Sequence, residues 1–119
     1  MPVVVLLTDF GWEGPYVGQM LLAARAAASV EVVSLMHDLP AFAPRSSAYL
    51  AAAVLEATPG WDAAVVVVDP GVGTARKALA IETARGWLVG PDNGVLAVAA
   101  RRFGVRGVWA LRVPEQAAP

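Results

Sequence analysis

Short apolar runs alternate with alanine-rich stretches along the first half of the chain. Val3 to Leu7, Val32 to Leu35 and Ala63 to Val68 are rich in β-branched side chains, as strands buried on both faces of a parallel sheet are. Between them, Tyr16 to Ala28 and Ser46 to Ala57 each follow a proline-bearing turn. Apolar residues recur there at three-to-four spacing: Tyr16, Met20 and Ala23 to Ala24 in the first, Tyr49, Leu50, Ala53 and Val54 in the second. That period predicts two helices with those residues on the apolar stripe. Strand, helix and strand, twice over, make two βαβ units, so the three strands should be parallel and the crossovers right-handed.

After Val68 the pattern changes. Ala78 to Thr83 and Gly86 to Gly90 are separated by a short Ala-Arg-Gly link, a spacing that predicts an antiparallel hairpin. The segment PDNG leads into a predicted helix, Val95 to Phe103. Its tail carries Arg101 and Arg102, favourable at the negative end of the helix dipole, and Gly104 stands just beyond. A last strand, Gly107 to Leu111, precedes a polar, proline-bounded tail. There is no internal repeat and no linker. The expected fold is α/β: a three-layer open sheet, mostly parallel with an antiparallel hairpin, built by residues 1–119 as a single domain.

Composition narrows the function. With 119 residues of which 57% are hydrophobic, the chain can bury one core and is too short for two ordinary domains. A net charge of -1 points to neither nucleic acid nor an anionic membrane surface. Cysteine is absent, which excludes disulfides, thiolate metal sites and cysteine nucleophiles and fits a cytoplasmic protein. The N-terminus has no basic segment, and its apolar run stops at Asp9, too soon for a signal peptide or a membrane span.

In an open α/β sheet, ligands sit beyond the carboxyl ends of the parallel strands. The first strand ends in Thr8 and Asp9, the second runs into His37 and Asp38, the third ends in Asp69, and the returning hairpin strand brings Asp92 and Asn93 to the same edge. Each has a plainer reading. Asp9 before Phe10 and Gly11 could form an Asx-type turn, and Asp92-Asn93-Gly94 a turn with a helix cap. His37, the single histidine, reads as a loop or core hydrogen-bonder rather than a catalyst. The DFG triplet at Asp9 lacks the glycine-rich and catalytic loops of a kinase. Asp9, His37, Asp38, Asp69 and Asp92 could converge on a metal, but no pair has a recognised ligand spacing, and no metal is expected.

The stretch VVVVDPGVGTARK, Val65 to Lys77, is the most pointed. Pro70 stops the strand after Asp69, Gly71 and Gly73 allow a tight loop close to a ligand, and Arg76 comes within reach of the Asp69 carboxylate. A carboxylate facing a guanidinium stays ionised, which suits orienting a nucleophile or binding a cation. The alternative is an ordinary surface ion pair, which would not need the glycine loop. A phosphate cradle is disfavoured, because the GxxxxGK[ST] pattern is missing and Asp69 would repel the anion.

TDFG with PYVGQM (Thr8 to Met20), MHDLPAF (Met36 to Phe42), VVDPGVGTARK (Val67 to Lys77) and VGPDNGVL (Val89 to Leu96) together resemble the N-terminal domain of the adenosine-forming S-adenosylmethionine hydrolases. These are relatives of the S-adenosylmethionine-dependent fluorinase and chlorinase. The resemblance implies attack of water or hydroxide at the ribose C5′, giving adenosine and methionine with no cofactor. It places Asp9 on the ribose hydroxyls, and Asp69 and Arg76, with a histidine, around the attacking water, Asp69 also touching substrate. It sets Phe42 near the ribose and Asn93 close by. The fluorinating branch carries a tyrosine where Asp69 stands and a longer insertion downstream, so hydrolysis is implied over halogenation. Trimers are the family's assembly, with sites between neighbouring subunits, which implies a homo-oligomer. The family histidine, in a Phe-His-Gly-Arg-Asp-like segment, and the β-rich adenine-binding C-terminal domain would follow Pro119. This chain carries neither, and Ser34 stands where the family usually has an aspartate. The expectation is therefore half of a site; the alternative is a non-catalytic module that binds adenosine or S-adenosylmethionine, or serves assembly.

Overall fold

A computed structural model describes residues 1–41, 43–68 and 77–111. Six strands and three helices follow one another as β1 (Val3–Thr8), α1 (Tyr16–Ala27), β2 (Glu31–Met36), α2 (Pro44–Ala57), β3 (Ala63–Val67), β4 (Ala78–Thr83), β5 (Trp87–Pro91), α3 (Ala97–Phe103) and β6 (Val105–Leu111). They form one sheet in the order β2-β1-β3-β5-β4-β6. β1 pairs in parallel with β2 and β3, and β3 with β5. β4 runs against both β5 and β6. The predicted parallel tract and hairpin are therefore present, and β6 forms the edge of the sheet beside β4.

The crossover from β1 to β2 moves one way along the sheet, and the one from β2 to β3 moves back past β1. Right-handed connections then set α1 and α2 on opposite faces, which makes three layers. Side chains alternate accordingly. Val5 and Leu7 of β1, Ala64 and Val66 of β3 and Leu88 of β5 join Ala51, Ala52 and Leu55 of α2 and Ala99, Ala100 and Phe103 of α3 in the main core. Leu6 and Val17 are buried outside that cluster. Full burial of a leucine or valine contributes roughly 1.5–3 kcal/mol, so this face carries most of the stability.

The apolar stripes of two helices differ from those the spacing predicts. In α2 the buried residues are Ser47, Ala48, Ala51, Ala52 and Leu55, while Tyr49 and Leu50 are exposed. In α1 only Val17 is buried, and Tyr16 is exposed. The reason is size: alanines on the inner face let α2 approach the sheet and α3 closely, and the bulkier side chains turn outward. The third helix begins at Ala97 rather than Val95, because Val95 and Leu96 are spent as buried plugs at its entrance. Gly90 in β5 has no alternative, since a Cβ there would collide with the Val66 carbonyl oxygen. Arg85 of the hairpin turn donates to the Glu56 and Thr58 carbonyls at 2.9 and 2.8 Å, closing the C-terminal end of α2. Among the described residues no helix is long and apolar enough to cross a membrane.

Candidate active site

The four parallel strands β2, β1, β3 and β5 end on one edge, and the crossovers leave β1 in one direction along the sheet and return in the other. The crevice between β1 and β3 is thus the topological switch point, where open α/β sheets bind ligands. Asp9 leaves β1 at that point. Its own N–H donates to the Val67 carbonyl of β3 at 3.3 Å, so the residue bridges the two strands that flank the crevice.

Around Asp9 the backbone is pinned from both sides. Thr8 accepts the Leu39 N–H at its carbonyl oxygen at 3.0 Å, and the Gly11 N–H donates to the His37 carbonyl at 2.7 Å. Thr8 Oγ1 accepts the Phe10 N–H at 3.1 Å and lies 2.7 Å from His37 Nδ1. Both side chains are completely buried. Gly11 turns the chain at φ 77°, a backbone region that side-chain-bearing residues rarely occupy. The Trp12 ring then stands edge-to-face on the imidazole, centroids 4.6 Å apart. Burial pushes the His37 pKa below its ordinary value of 6.5, with nearby Asp38 pulling the other way. A neutral imidazole follows.

Asn93 lies beyond β5. Its side-chain amide donates to the Val68 carbonyl at 2.6 Å, and its Oδ1 accepts the Val95 N–H at 3.1 Å. The second bond is the Asx turn weighed for this segment; the first ties the end of β3 to the loop after β5. Each end of the amide keeps one further bonding position. The structure thus brings the β1, β2, β3 and β5 termini together with Asp9, His37 and Asn93 along one rim. Asp69, Arg76 and Phe42 lie outside the described residues.

His37 serves as the core hydrogen-bonder expected of it, but its partner Thr8, 29 positions away, and its neighbour Trp12 escape a reading of the sequence. No local spacing signals either contact. Among the described residues no group of three histidine, aspartate or glutamate side chains could hold a metal. One cleft of about 440 Å³ lies between α2 and α3 and includes Asn93 with Arg45 and Arg101. Another, of about 470 Å³, opens at the far end of the sheet around Arg25, Ser29 and Glu31, remote from every strand terminus that carries the candidate chemistry. The rim lies at the carboxyl ends of the parallel strands, where an open α/β sheet binds its ligands, and Asn93 belongs both to it and to the first of these clefts.

Comparison with known proteins finds relatives that match nearly the whole chain. The (R)-S-adenosyl-L-methionine hydrolase of Thermus thermophilus is 41% identical over 119 residues, covering 98% of this chain and 42% of the relative. The protein of that name from Methanocaldococcus jannaschii is 32% identical over 116 residues, covering 91% of this chain and 43% of the relative. The chain therefore spans less than half the length of these curated relatives. The crystal structure of a conserved hypothetical protein, also from Thermus thermophilus, superposes with a TM-score of 0.81 at 39% identity, over 98% of this chain and 49% of that one. An uncharacterized conserved protein from Thermotoga maritima gives 0.74 at 34% identity, over 92% and 43%. Residues 4–119 match the SAM hydroxide adenosyltransferase N-terminal domain, and the chain belongs to that family.

Proposed function

We propose that this chain supplies the nucleophile-positioning half of an enzyme that hydrolyses S-adenosylmethionine to adenosine and methionine. The observation that carries the reading is Asp9 at the β1/β3 switch point, its N–H held by β3 and its neighbours Thr8 and Gly11 by the segment that follows β2, in a chain of this family. Polypeptide outside this chain, a β-rich domain or a neighbouring subunit of a cytoplasmic trimer, completes the site with the adenine-binding surface and the family histidine.

In this reading the Asp9 carboxylate accepts from the two ribose hydroxyls, a pair of adjacent donors that matches one bidentate acceptor. Phe42 packs near the ribose. Asp69 and Arg76 hold a water in line with C5′, and Asn93 steadies the end of β3 through Val68. As the water oxygen bonds to C5′, the C5′–sulfur bond breaks and its electron pair returns to sulfur. Methionine leaves as a neutral thioether, and one water proton is released to solvent. No general acid is required for such a leaving group. The protein's contribution is alignment, which can supply about 7–11 kcal/mol of the barrier when two reactants are held in near-attack geometry, in a site where low water content favours loss of the sulfonium charge.

The test is incubation of the native protein with S-adenosylmethionine and chromatography of the products. Adenosine and methionine in equal amounts are expected. Adenosine bound without turnover would favour the second reading, a binding or assembly module. Neither binding nor turnover would remove both.

A further inference from the structure

His37 is the most deeply buried titratable group among the described residues, and the reaction outlined above gives it no part. Three observations bear on what it does. Its side chain is 0% exposed. Its Nδ1 is 2.7 Å from Thr8 Oγ1, the residue directly before Asp9. Its Nε2 is buried with no hydrogen-bond partner among the described residues, while the Trp12 ring stands against the imidazole. A buried polar atom without a partner is destabilising. A phenylalanine of similar size would avoid that cost, so packing alone gives no reason for a histidine here.

Thr8 Oγ1 accepts the Phe10 N–H and keeps a second lone pair as well as its hydroxyl hydrogen, so it can bond Nδ1 in either tautomer of the ring. Thr8 is thereby locked in one rotamer. Its oxygen fixes the Phe10 N–H, and the His37 carbonyl fixes the Gly11 N–H. Asp9 lies between these clamps.

We propose that His37 is a positioning residue for the ribose end of the substrate: through its buried bond to Thr8 it holds Asp9 in the conformation that receives two adjacent hydroxyls. The inference rests on the reading of Asp9 as the diol acceptor. It adds a requirement that family membership alone does not carry, namely a hydrogen-bonding partner for Thr8 Oγ1 at the Nδ1 position.

Two ligands separate this role from a structural one. Adenosine carries the 2′,3′-diol and 2′-deoxyadenosine lacks one of its hydroxyls, so the ratio of their dissociation constants, measured by calorimetry on the native protein, reports how well Asp9 is aimed. The native protein should prefer adenosine, and Asp9→Asn should abolish the preference. Thr8→Val and His37→Gln, which remove the bond while keeping bulk, should lower the preference about tenfold, since sub-ångström misplacement of a binding group is that costly. His37→Asn places a side-chain amide, able to donate or accept, near the Nδ1 position and should restore most of it, as should Thr8→Ser. Thermal unfolding of each variant shows that the folded state is compared; should Thr8→Val not fold, Thr8→Ala takes its place.

Equal weakening of both ligands, or an unchanged preference in Thr8→Val and His37→Gln, would overturn the proposal while leaving Asp9 in its role. A native protein that binds both nucleosides alike would instead remove the role of Asp9, and the positioning role would fall with it. The two failures are therefore distinguishable.

Discussion

The same strands serve two unlike purposes within a few residues. Under α2 and α3, Val5, Leu7, Ala64, Val66 and Leu88 present only carbon and are held by volume. One step further, at the carboxyl ends, Thr8, His37 and Asn93 are held by directed bonds of 2.6–2.7 Å. Burial is nearly complete at Thr8 and His37 as well, so depth does not distinguish the regions. The kind of constraint does. Packing tolerates small shifts at a graded cost, whereas a buried hydrogen bond is either made or left open at the desolvation cost of its partners. A rigid apolar floor with a polar rim above it is what a reaction driven by alignment requires.

The largest effect should come from the floor. Leu55 is fully buried between helix and sheet, and Leu55→Ala should lower stability by about 2–5 kcal/mol in urea unfolding. That is a large share of the roughly 5–15 kcal/mol available to a domain. The molecules that remain folded should discriminate between adenosine and 2′-deoxyadenosine as before. A selective loss of that preference would show that floor and rim are not separate.

Asp9→Asn should do the reverse. The amide keeps the shape and removes the charge, so turnover of S-adenosylmethionine by the native protein should drop about a hundredfold, or about 2.7 kcal/mol at the transition state, with little change in melting temperature. Asn93→Ala tests the seam between the regions. Its amide ties Val68 to the entrance of α3, and removing it leaves a carbonyl and an N–H to find new partners, at about 1–3 kcal/mol of stability. Turnover should fall together with stability in this variant alone, because Val68 leads directly to Asp69 in the chain. Stability lost with turnover intact would confine Asn93 to the floor.

Much of the floor is legible in the sequence, and the rim only in outline. β-branched runs announce strands because few other segments can be buried on both faces, and the short link between Thr83 and Trp87 allows little besides a hairpin. The inner face of α2 misleads for a physical reason. Alanine contributes little to an apolar stripe, yet it occupies the closest contacts, so Tyr49 and Leu50 draw attention that belongs to Ala48, Ala51 and Ala52. The place of β6 beside β4 is not readable, since neighbours that no short turn joins leave no mark on spacing. At the rim, the clustering of Asp9, His37 and Asn93 follows from strand polarity alone. The pairing of His37 with Thr8 does not, because it depends on the parallel register of β1 with β2 and on the shift in that register between Leu6 and Leu7. Asp69, Arg76 and Phe42 lie outside the described residues, so for them the sequence remains the whole argument.

The smallest expected effect is a pH dependence that belongs to the rim. Burial lowers the His37 pKa below 6.5, opposed in part by Asp38. Above that ordinary value the ring is neutral in both folded and unfolded chains, and its contribution to stability is complete. As pH falls below it, the unfolded chain takes up a proton first, so stability declines toward the lower folded-state pKa, where the contribution is spent. Thermal unfolding between about pH 5 and 8, the range in which histidine changes charge, should therefore show the native protein losing stability on the acid side more steeply than His37→Asn. Carboxylates titrate in both proteins and cancel in the difference, and with a single histidine in the chain no other imidazole can contribute to it. Parallel curves would mean that the ring accepts its proton as readily in the fold as in the open chain, and burial would then not be what holds it neutral. Leu55→Ala offers the control: it should shift the whole curve downward without changing its slope, because nothing on the floor titrates.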